Sequence, residues 1–383
     1  MKIVYIYDAI ARIGGLERVL VEKMNYLAEV YKYEIFLITS SQGNHPYSFT
    51  LSSQIIHIDI NVPFQIQYKY KYPIRIWKKI ALESSFKKKL QQKINEINPD
   101  IIIGTSNFKA RTICELKCCA KKIIESHCAR SFTGINDGIA RNPFMHWIHY
   151  IQTQKVHKLI ENNSNIVIAL TQRDSFEWRN AKKTQIIPNM TQTVIATYKI
   201  NKKMKHVISV GRLAYQKGFD HLITVWNLVK FKHPDWFLDI YGDNGALKQE
   251  LKKQILELDL SNEISINNPT KNIIEKYQES EFYVMSSRYE GWGLVLVEAM
   301  ACGIPCIAFD CPYGPSDIIE HGRNGLLVKN GDIEALADAI CWMIEHEEER
   351  KQMGIAARET SKKFRPEVIM KQWDELFKEL VKQ

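Results

Sequence analysis

The 383-residue sequence has no run of about twenty apolar residues, the length needed to cross a bilayer as a helix. Its opening, Met1-Lys-Ile-Val-Tyr-Ile-Tyr-Asp8, is too short and too soon acidic for a secretion signal. The expected location is therefore the cytoplasm, with room for peripheral contact at the cytoplasmic membrane face. A disulfide framework is also missing: the eight cysteines follow no regular spacing and read as reduced thiols. Cys114, Cys118, Cys119, His127 and Cys128 are dense enough to suggest zinc, but two of the cysteines are adjacent and the spacing is irregular, which argues against a metal site. No Asp-x-Asp pair is present, and no Gly-x-Gly-x-x-Gly follows the first strand-like run, nor does an acid end the second. That disfavours a dinucleotide-dependent dehydrogenase. Internal repeats and low-complexity tracts are absent too.

Acid is scarce in one half only. Residues 1–190 hold 27 Lys and Arg against 15 Asp and Glu, a net +12, whereas residues 191–383 hold 25 against 28, a net −3. The two halves are thus expected to meet different partners. Much of the excess lies between Gln65 and Lys93, with nine basic residues and the single acid Glu83. There Trp77, Phe86, Leu90 and Ile94 read as one apolar helical face, with Lys78, Lys79, Lys87 and Lys88 among the basic residues opposite. An anionic membrane surface and a solvated basic face over a packed helix both fit this pattern.

Strand-like apolar runs alternate with helical ones along the whole chain, the pattern of parallel sheets covered by helices on both faces. The runs are Ile3–Tyr7, Glu34–Thr39, Ile55–Ile60, Ile101–Gly104, Lys122–Ser126 and Ile166–Leu170, then His206–Gly211, Phe237–Tyr241, Ile264–Asn267, Phe282–Met285, Pro305–Phe309 and Leu326–Val328. Two doubly wound α/β domains are expected, 1–189 and 190–365, with a low-structure stretch from Asn189 to Lys205. A final amphipathic helix, 366–383, is expected to fold back on the first domain. Open parallel sheets bind ligands beyond the carboxyl ends of their strands, so one cleft between two such domains is the expected site.

The richest stretch is Ser286-Ser-Arg-Tyr-Glu-Gly-Trp-Gly-Leu-Val-Leu-Val-Glu298-Ala-Met-Ala-Cys-Gly-Ile-Pro305. A buried strand precedes it, Gly291-Trp292-Gly293 is a loop that brings backbone N–H groups near a ligand, and a helix begins at Leu294. Glu290 falls on the loop and Glu298 within the helix, so the two carboxylates address one crevice from different elements. One can bind a sugar and the other a ribose. Nearby, Val210-Gly-Arg-Leu-Ala-Tyr-Gln-Lys-Gly218 places Arg212 and Lys217 after a strand, where fixed cations could stabilise a diphosphate leaving group without a divalent ion. Gly242 and Gly245 either shape a nucleotide cleft or make a plain turn. Gly14 and Gly15, at a strand-to-helix junction, suit a phosphate but are weak evidence alone. His127 and Arg130 end another strand-like run.

The Glu-seven-Glu spacing, with Phe309-Asp-Cys-Pro-Tyr-Gly-Pro-Ser-Asp-Ile-Ile319 and Gly322-Arg-Asn-Gly-Leu-Leu-Val328 after it, resembles the retaining GT-B-fold glycosyltransferases of family four. The similarity is clear from Val207 onward and weaker before it. It implies two Rossmann-like domains facing a cleft, a nucleotide-sugar donor that is most simply a UDP-sugar, and no cofactor. By that resemblance Glu290 with Gly291, Trp292, Gly293 and Leu294 binds the sugar, and Glu298 the ribose. Arg212 and Lys217 hold the diphosphate, opposite Gly14 and Gly15, and His127 contacts the sugar near the reacting centre. Arg130 is a candidate for an anionic acceptor. The Cys-Pro-Tyr-Gly-Pro-Ser segment looks most like enzymes of capsule, O-antigen or exopolysaccharide assembly, which implies a lipid-linked saccharide acceptor and no nucleic acid. Rival readings are a basic nucleic-acid- or lipid-binding protein without catalysis, and a nucleotide-sugar epimerase or phosphorylase of the same fold.

Overall fold

A computed structural model describes residues 1–11, 14–132, 143–192, 205–243, 245 and 247–382. Most of the stretch expected to lack structure, residues 193–204, lies outside the described residues, as does Asn244 in the Gly242–Gly245 turn. The chain divides into two compact units, Met1–Pro188 with Ile369–Gln383, and Asn189–Val368.

The first unit holds a seven-stranded parallel sheet made of β1 (Lys2–Tyr7), β2 (Glu34–Thr39), β3 (Ile56–Asp59), β4 (Ile101–Thr105), β5 (Lys121–Ser126), β6 (Ile166–Ala169) and β7 (Thr184–Ile186). Their order across the sheet is β3-β2-β1-β4-β5-β6-β7. The second unit holds a six-stranded sheet made of β8 (His206–Val210), β9 (Phe237–Tyr241), β10 (Ile264–Asn267), β11 (Phe282–Met285), β12 (Cys306–Asp310) and β13 (Gly325–Lys329), in the order β10-β9-β8-β11-β12-β13. Central strands such as Ile3-Val-Tyr-Ile6 and Phe282-Tyr-Val-Met285 are buried throughout, because helices cover both faces of the sheet; this is why they lack polar alternation. In each sheet the winding reverses once, between β1 and β4 and between β8 and β11, and a crevice opens at such a reversal. The edge strand β7 is absent from the strand-like runs because its three residues are half-buried and too few to show a period.

The helix Ile74–Ile97 corrects one expectation. Phe86, Leu90 and Ile94 pack into the first unit's core, where the Phe86 ring meets Phe64 and Phe108, but Trp77 is 72% exposed. At 100° per residue, nine positions place Trp77 on the side of the helix opposite Phe86. Trp77 therefore belongs to another surface. The amphipathic helix Pro366–Lys382 buries Ile369, Trp373 and Phe377, and its Asp374 accepts a hydrogen bond from the Tyr33 hydroxyl at 2.5 Å, so it is built into the first unit. No helix among the described residues is long and apolar enough to cross a membrane.

His157, on the helix Pro143–Asn163, is 1% exposed against Trp178, with its ring centroid 5.2 Å from the indole and neither nitrogen hydrogen-bonded. Burial, followed by the positive charge of Arg130, lowers its pKa to about 4. The unfolded chain binds this proton near pH 6.5. The neutral ring thus contributes stability above pH 6.5 that is lost as pH falls through 4, about 2 kcal/mol of it by pH 5. We expect the urea midpoint to drop between pH 7 and pH 5, and the drop to be smaller by that amount in His157→Leu.

Candidate functional site

The sequence-predicted donor residues other than Gly14 and Gly15 lie where the strands of the second sheet end. Three loops leave β8, β9 and β11 there, and glycines let their backbones touch. Gly218 has φ +62°, and a Cβ on it would lie 2.1 Å from the Ser286 carbonyl oxygen. A Cβ on Gly242 would lie 2.6 Å from the Gly211 oxygen, and one on Gly245 would lie 2.3 Å from the Leu213 oxygen. Any side chain would force these loops apart, so Gly242 and Gly245 have a packing function whatever else they do. The Leu213 N–H also donates to Asp243 Oδ1 at 3.0 Å, tying the β8 loop to the β9 loop.

On this platform Lys217 and Glu290 meet. Lys217 Nζ lies 2.6 Å from Glu290 Oε1, and the Ser287 hydroxyl donates to the same oxygen at 2.6 Å. Glu290 is 6% exposed, and Lys217 is nearly as covered. A buried carboxylate needs such partners to remain charged. Both recorded bonds end on Oε1, which leaves Oε2 for a ligand hydroxyl. Arg212, on the same loop, donates to Gln216 Oε1 at 2.9 Å, and Gln216 in turn donates to the Tyr289 carbonyl at 3.0 Å. Below the pair, Tyr283 donates to the Val210 carbonyl at 3.2 Å; burial and then Glu290 push its pKa far up, so it stays a neutral donor.

The helix Leu294–Ala301 starts at Gly293, whose φ of +94° turns the chain sharply into it. Its first N–H groups face the end of the loop, a favourable place for negative charge. Glu298 sits on this helix and is 5% exposed. Burial, followed by the Glu298 charge, raises the pKa of the adjacent Tyr277. The Trp292 indole packs edge-on against Phe364 at 5.2 Å, so it is the backbone of Gly291–Leu294 that remains to meet a ligand. Gly314 locks this arrangement, since a Cβ there would lie 2.1 Å from the Trp292 oxygen.

Sequence reading passed over Arg288. Its guanidinium grips Asp220 with bonds of 2.8 and 2.5 Å, donates to the Tyr215 carbonyl at 2.8 Å and lies 4.0 Å over the Tyr215 ring. These contacts clamp the short 3-10 turn Tyr215–Lys217 that aims Lys217. We expect Arg288→Ala to lower kcat by about tenfold to a hundredfold through misplacement of Lys217, with less loss in Arg288→Lys; steady-state kinetics on both variants checks this.

In the first unit, His127 Nε2 lies 2.8 Å from Glu125 Oε2, and Lys23 Nζ lies 2.5 Å from both oxygens of that carboxylate. All three side chains are buried. Burial opposes the charge on Glu125, but Lys23 and His127 outweigh it and hold the pKa at about 2. The carboxylate therefore accepts from His127 Nε2–H and fixes the ring. Arg130 is engaged within its own unit: it lies 2.9 Å from Glu161, donates to the Glu177 carbonyl at 3.1 Å, and its backbone N–H donates to Asp174 at 2.7 Å. Burial first raises the Asp174 pKa, to about 6. Gly14 and Gly15 open the helix Gly15–Glu29, and the Glu17 carboxylate folds back so that a Cβ on Gly14 would lie 2.2 Å from it. An anion at this terminus would have to displace Glu17. Among the basic candidates, Lys87 pairs with Glu115 at 2.7 Å, Lys78 lies 5.2 Å from the Tyr70 ring centroid, and Lys79 and Lys88 are exposed.

Residues 191–360 match a family model described as Glycosyl transferases group 1. A Haemophilus influenzae protein called an uncharacterized glycosyltransferase is 29% identical over 97% of this chain and 98% of its own length. The amylovoran biosynthesis glycosyltransferase AmsD of Erwinia amylovora is 38% identical over 46% of this chain and 48% of its own. Among solved structures, sucrose-phosphate synthase from Thermosynechococcus elongatus superimposes with a TM-score of 0.81 at 20% identity, covering 99% of this chain and 98% of that one. Anabaena HepE in complex with UDP and glucose gives 0.74 at 18% identity, covering 99% and 100%.

Proposed function

We propose that the chain, whose residues 191–360 match the group 1 glycosyl transferase model and whose two Rossmann-like domains have the GT-B fold, is a retaining, metal-independent hexosyltransferase. Its donor is a UDP-sugar and its acceptor a hydroxyl of a lipid-linked saccharide in bacterial surface-polysaccharide synthesis. The observation that carries the donor reading is the Lys217–Glu290 pair, a cation and a carboxylate in contact at the winding reversal of the second sheet. When the bond between the anomeric carbon and the phosphate oxygen breaks, its electrons go to the diphosphate, and Lys217 and Arg212 offset the added charge. Glu290 Oε2 and the Gly291–Leu294 amides orient the sugar, and Glu298 takes the ribose hydroxyls. The acceptor oxygen attacks the face from which UDP departs, and its proton passes to the departing phosphate, which keeps the anomeric configuration. The UDP in the HepE complex and the amylovoran role in the name of AmsD support the donor and pathway class. Of the first unit's candidates, His127 has a ring held rigid by Glu125, and His127→Ala tests whether it takes part in transfer.

A panel of UDP-sugars tests the proposal. At least one should raise the melting temperature and release UDP slowly in the absence of acceptor, and NMR of the transferred product should show the donor's anomeric configuration. EDTA should leave the rate within about twofold, because the charge is met by side chains. Failure of every UDP-sugar to bind, an inverted product, or activity lost to EDTA and restored by a divalent ion would overturn the corresponding part of the reading.

A further inference from the structure

The segment from Ile66 to Ile80 is built unlike the rest of its unit. It comprises most of the 3-10 turn Phe64–Lys69, an extended link and the first two turns of the helix Ile74–Ile97. Farther along that helix the apolar side chains enter the core, yet here they stand in solvent: Tyr72 is 71% and Trp77 72% exposed, with Ile76 and Ile80 also exposed on the same helical face as Trp77. Between Ile66 and Ile80 the sequence has five basic residues, Lys69, Lys71, Arg75, Lys78 and Lys79, and no acid. The cations lie among the rings: the Arg75 guanidinium is 4.4 Å from the Tyr68 centroid and Lys78 Nζ is 5.2 Å from that of Tyr70.

Solvent-facing aliphatic and aromatic side chains cost stability or solubility unless something covers them, and the charges indicate what does. Nucleic acid would make use of the lysines and rings but has no place for Ile76 and Ile80. The core of a protein interface is depleted in lysine. A second copy of the chain would bring five like charges against five in a two-fold contact. A bilayer with anionic headgroups suits every component, because tyrosine and tryptophan settle at headgroup depth, isoleucine reaches the acyl boundary, and lysine stems lie along the surface with their ends on phosphate. We propose that residues 66–80 dock the first unit on an anionic membrane surface, with Ile76, Trp77 and Ile80 inserted and Lys69, Lys71, Arg75, Lys78 and Lys79 on the headgroups. This surface does not depend on the transfer reaction, so its success or failure leaves the donor chemistry untouched.

The experiment sediments the full chain with vesicles of phosphatidylcholine alone and with vesicles in which about a third of the lipid is phosphatidylglycerol. The protein should sediment with the anionic vesicles and remain soluble with the neutral ones. Each charge near the surface changes partition about fivefold, so Lys78→Ala with Lys79→Ala should weaken it roughly 30-fold. Trp77→Ala with Ile80→Ala should weaken it at least about tenfold by removing the inserted area. All four positions are exposed, and unchanged melting temperatures would show that the variants fold. Equal soluble fractions on both vesicles, or full binding by both variants, would overturn the proposal. So would a concentration-dependent dimer in light scattering that Trp77→Ala dissociates, which would assign the face to a second copy.

Discussion

Lys217→Ala should lower kcat/KM for the donor by about 10²- to 10³-fold, the range for removing one preorganised group that meets developing charge. A unit charge about 4 Å from another is worth about 4 kcal/mol at an effective dielectric of 20, but only the part that grows on the way to the transition state accelerates the reaction. Lys217 is placed to contribute such a part, because the turn that bears it is clamped by Arg288 and its Nζ is already held 2.6 Å from Glu290. The substitution also leaves the Glu290 carboxylate with Ser287 as its one recorded side-chain partner in a covered position. We therefore expect a stability loss of about 3 kcal/mol alongside the kinetic one. Glu290→Gln separates the two effects: its amide oxygen can still accept from Ser287, so the fold is largely kept while sugar binding falls. Steady-state kinetics, UDP titration and melting on the two variants make the measurement. A Lys217→Ala protein with unchanged kcat and unchanged UDP affinity would remove Lys217 from the leaving-group site.

Ending the chain at Arg365 should prevent the first unit from folding while leaving the second unit folded. The deleted helix buries Ile369, Met370, Trp373, Leu376, Phe377 and Leu380. At about 1.5–3 kcal/mol each, their burial is worth roughly 9–18 kcal/mol before any allowance for a compact unfolded chain, comparable to the entire 5–15 kcal/mol stability of a domain. The deletion also exposes a charge. Lys23 Nζ lies 4.0 Å from the Trp373 ring centroid, so losing the helix uncovers the Lys23–Glu125 pair that fixes His127. Limited proteolysis should cut residues 1–188 rapidly and spare residues 189–365. Trp373→Ala alone, at about 3–5 kcal/mol, should weaken the first unit without abolishing its fold. If the truncated chain keeps a cooperative transition for the first unit, the helix is an accessory and not part of the core.

Strands were the most legible part of the sequence, and the reason is burial. Glu34–Thr39 and Phe282–Met285 coincide with observed strands because each apolar run is bounded by polar or turn residues and covered on both sides, whereas Phe237–Tyr241 and Ile264–Asn267 coincide because they keep a buried side beside more exposed residues. The edge strand Thr184–Ile186 shows no apolar run, because half-buried residues need not be apolar. Trp77 misled because its spacing to Phe86, Leu90 and Ile94 looks nearly helical; nine residues from Phe86, its angle around the helix puts it on the far side. In the candidate site, Glu290 and Lys217 could be named from their motifs, but their contact joins residues 73 apart in sequence and emerges only when β8 and β11 lie side by side. The same is true of Lys23 with Glu125, 102 residues apart, and of Arg288 with Asp220, 68 apart. Arg288 stood inside the motif that was read, but an arginine in a loop gives no sign of the acid it will hold.

The return of the last helix to the first unit imposes an order on biosynthesis. Residues 1–188 leave the ribosome early, yet the piece that seals their core, Ile369–Gln383, is made only after all of the second unit. At about 5–20 residues per second, the intervening 180 residues, 189–368, take roughly ten to forty seconds. For that interval the nascent first unit carries an open apolar seam around Tyr33 and Lys23, the surface a chaperone would bind, while the second unit can fold before it.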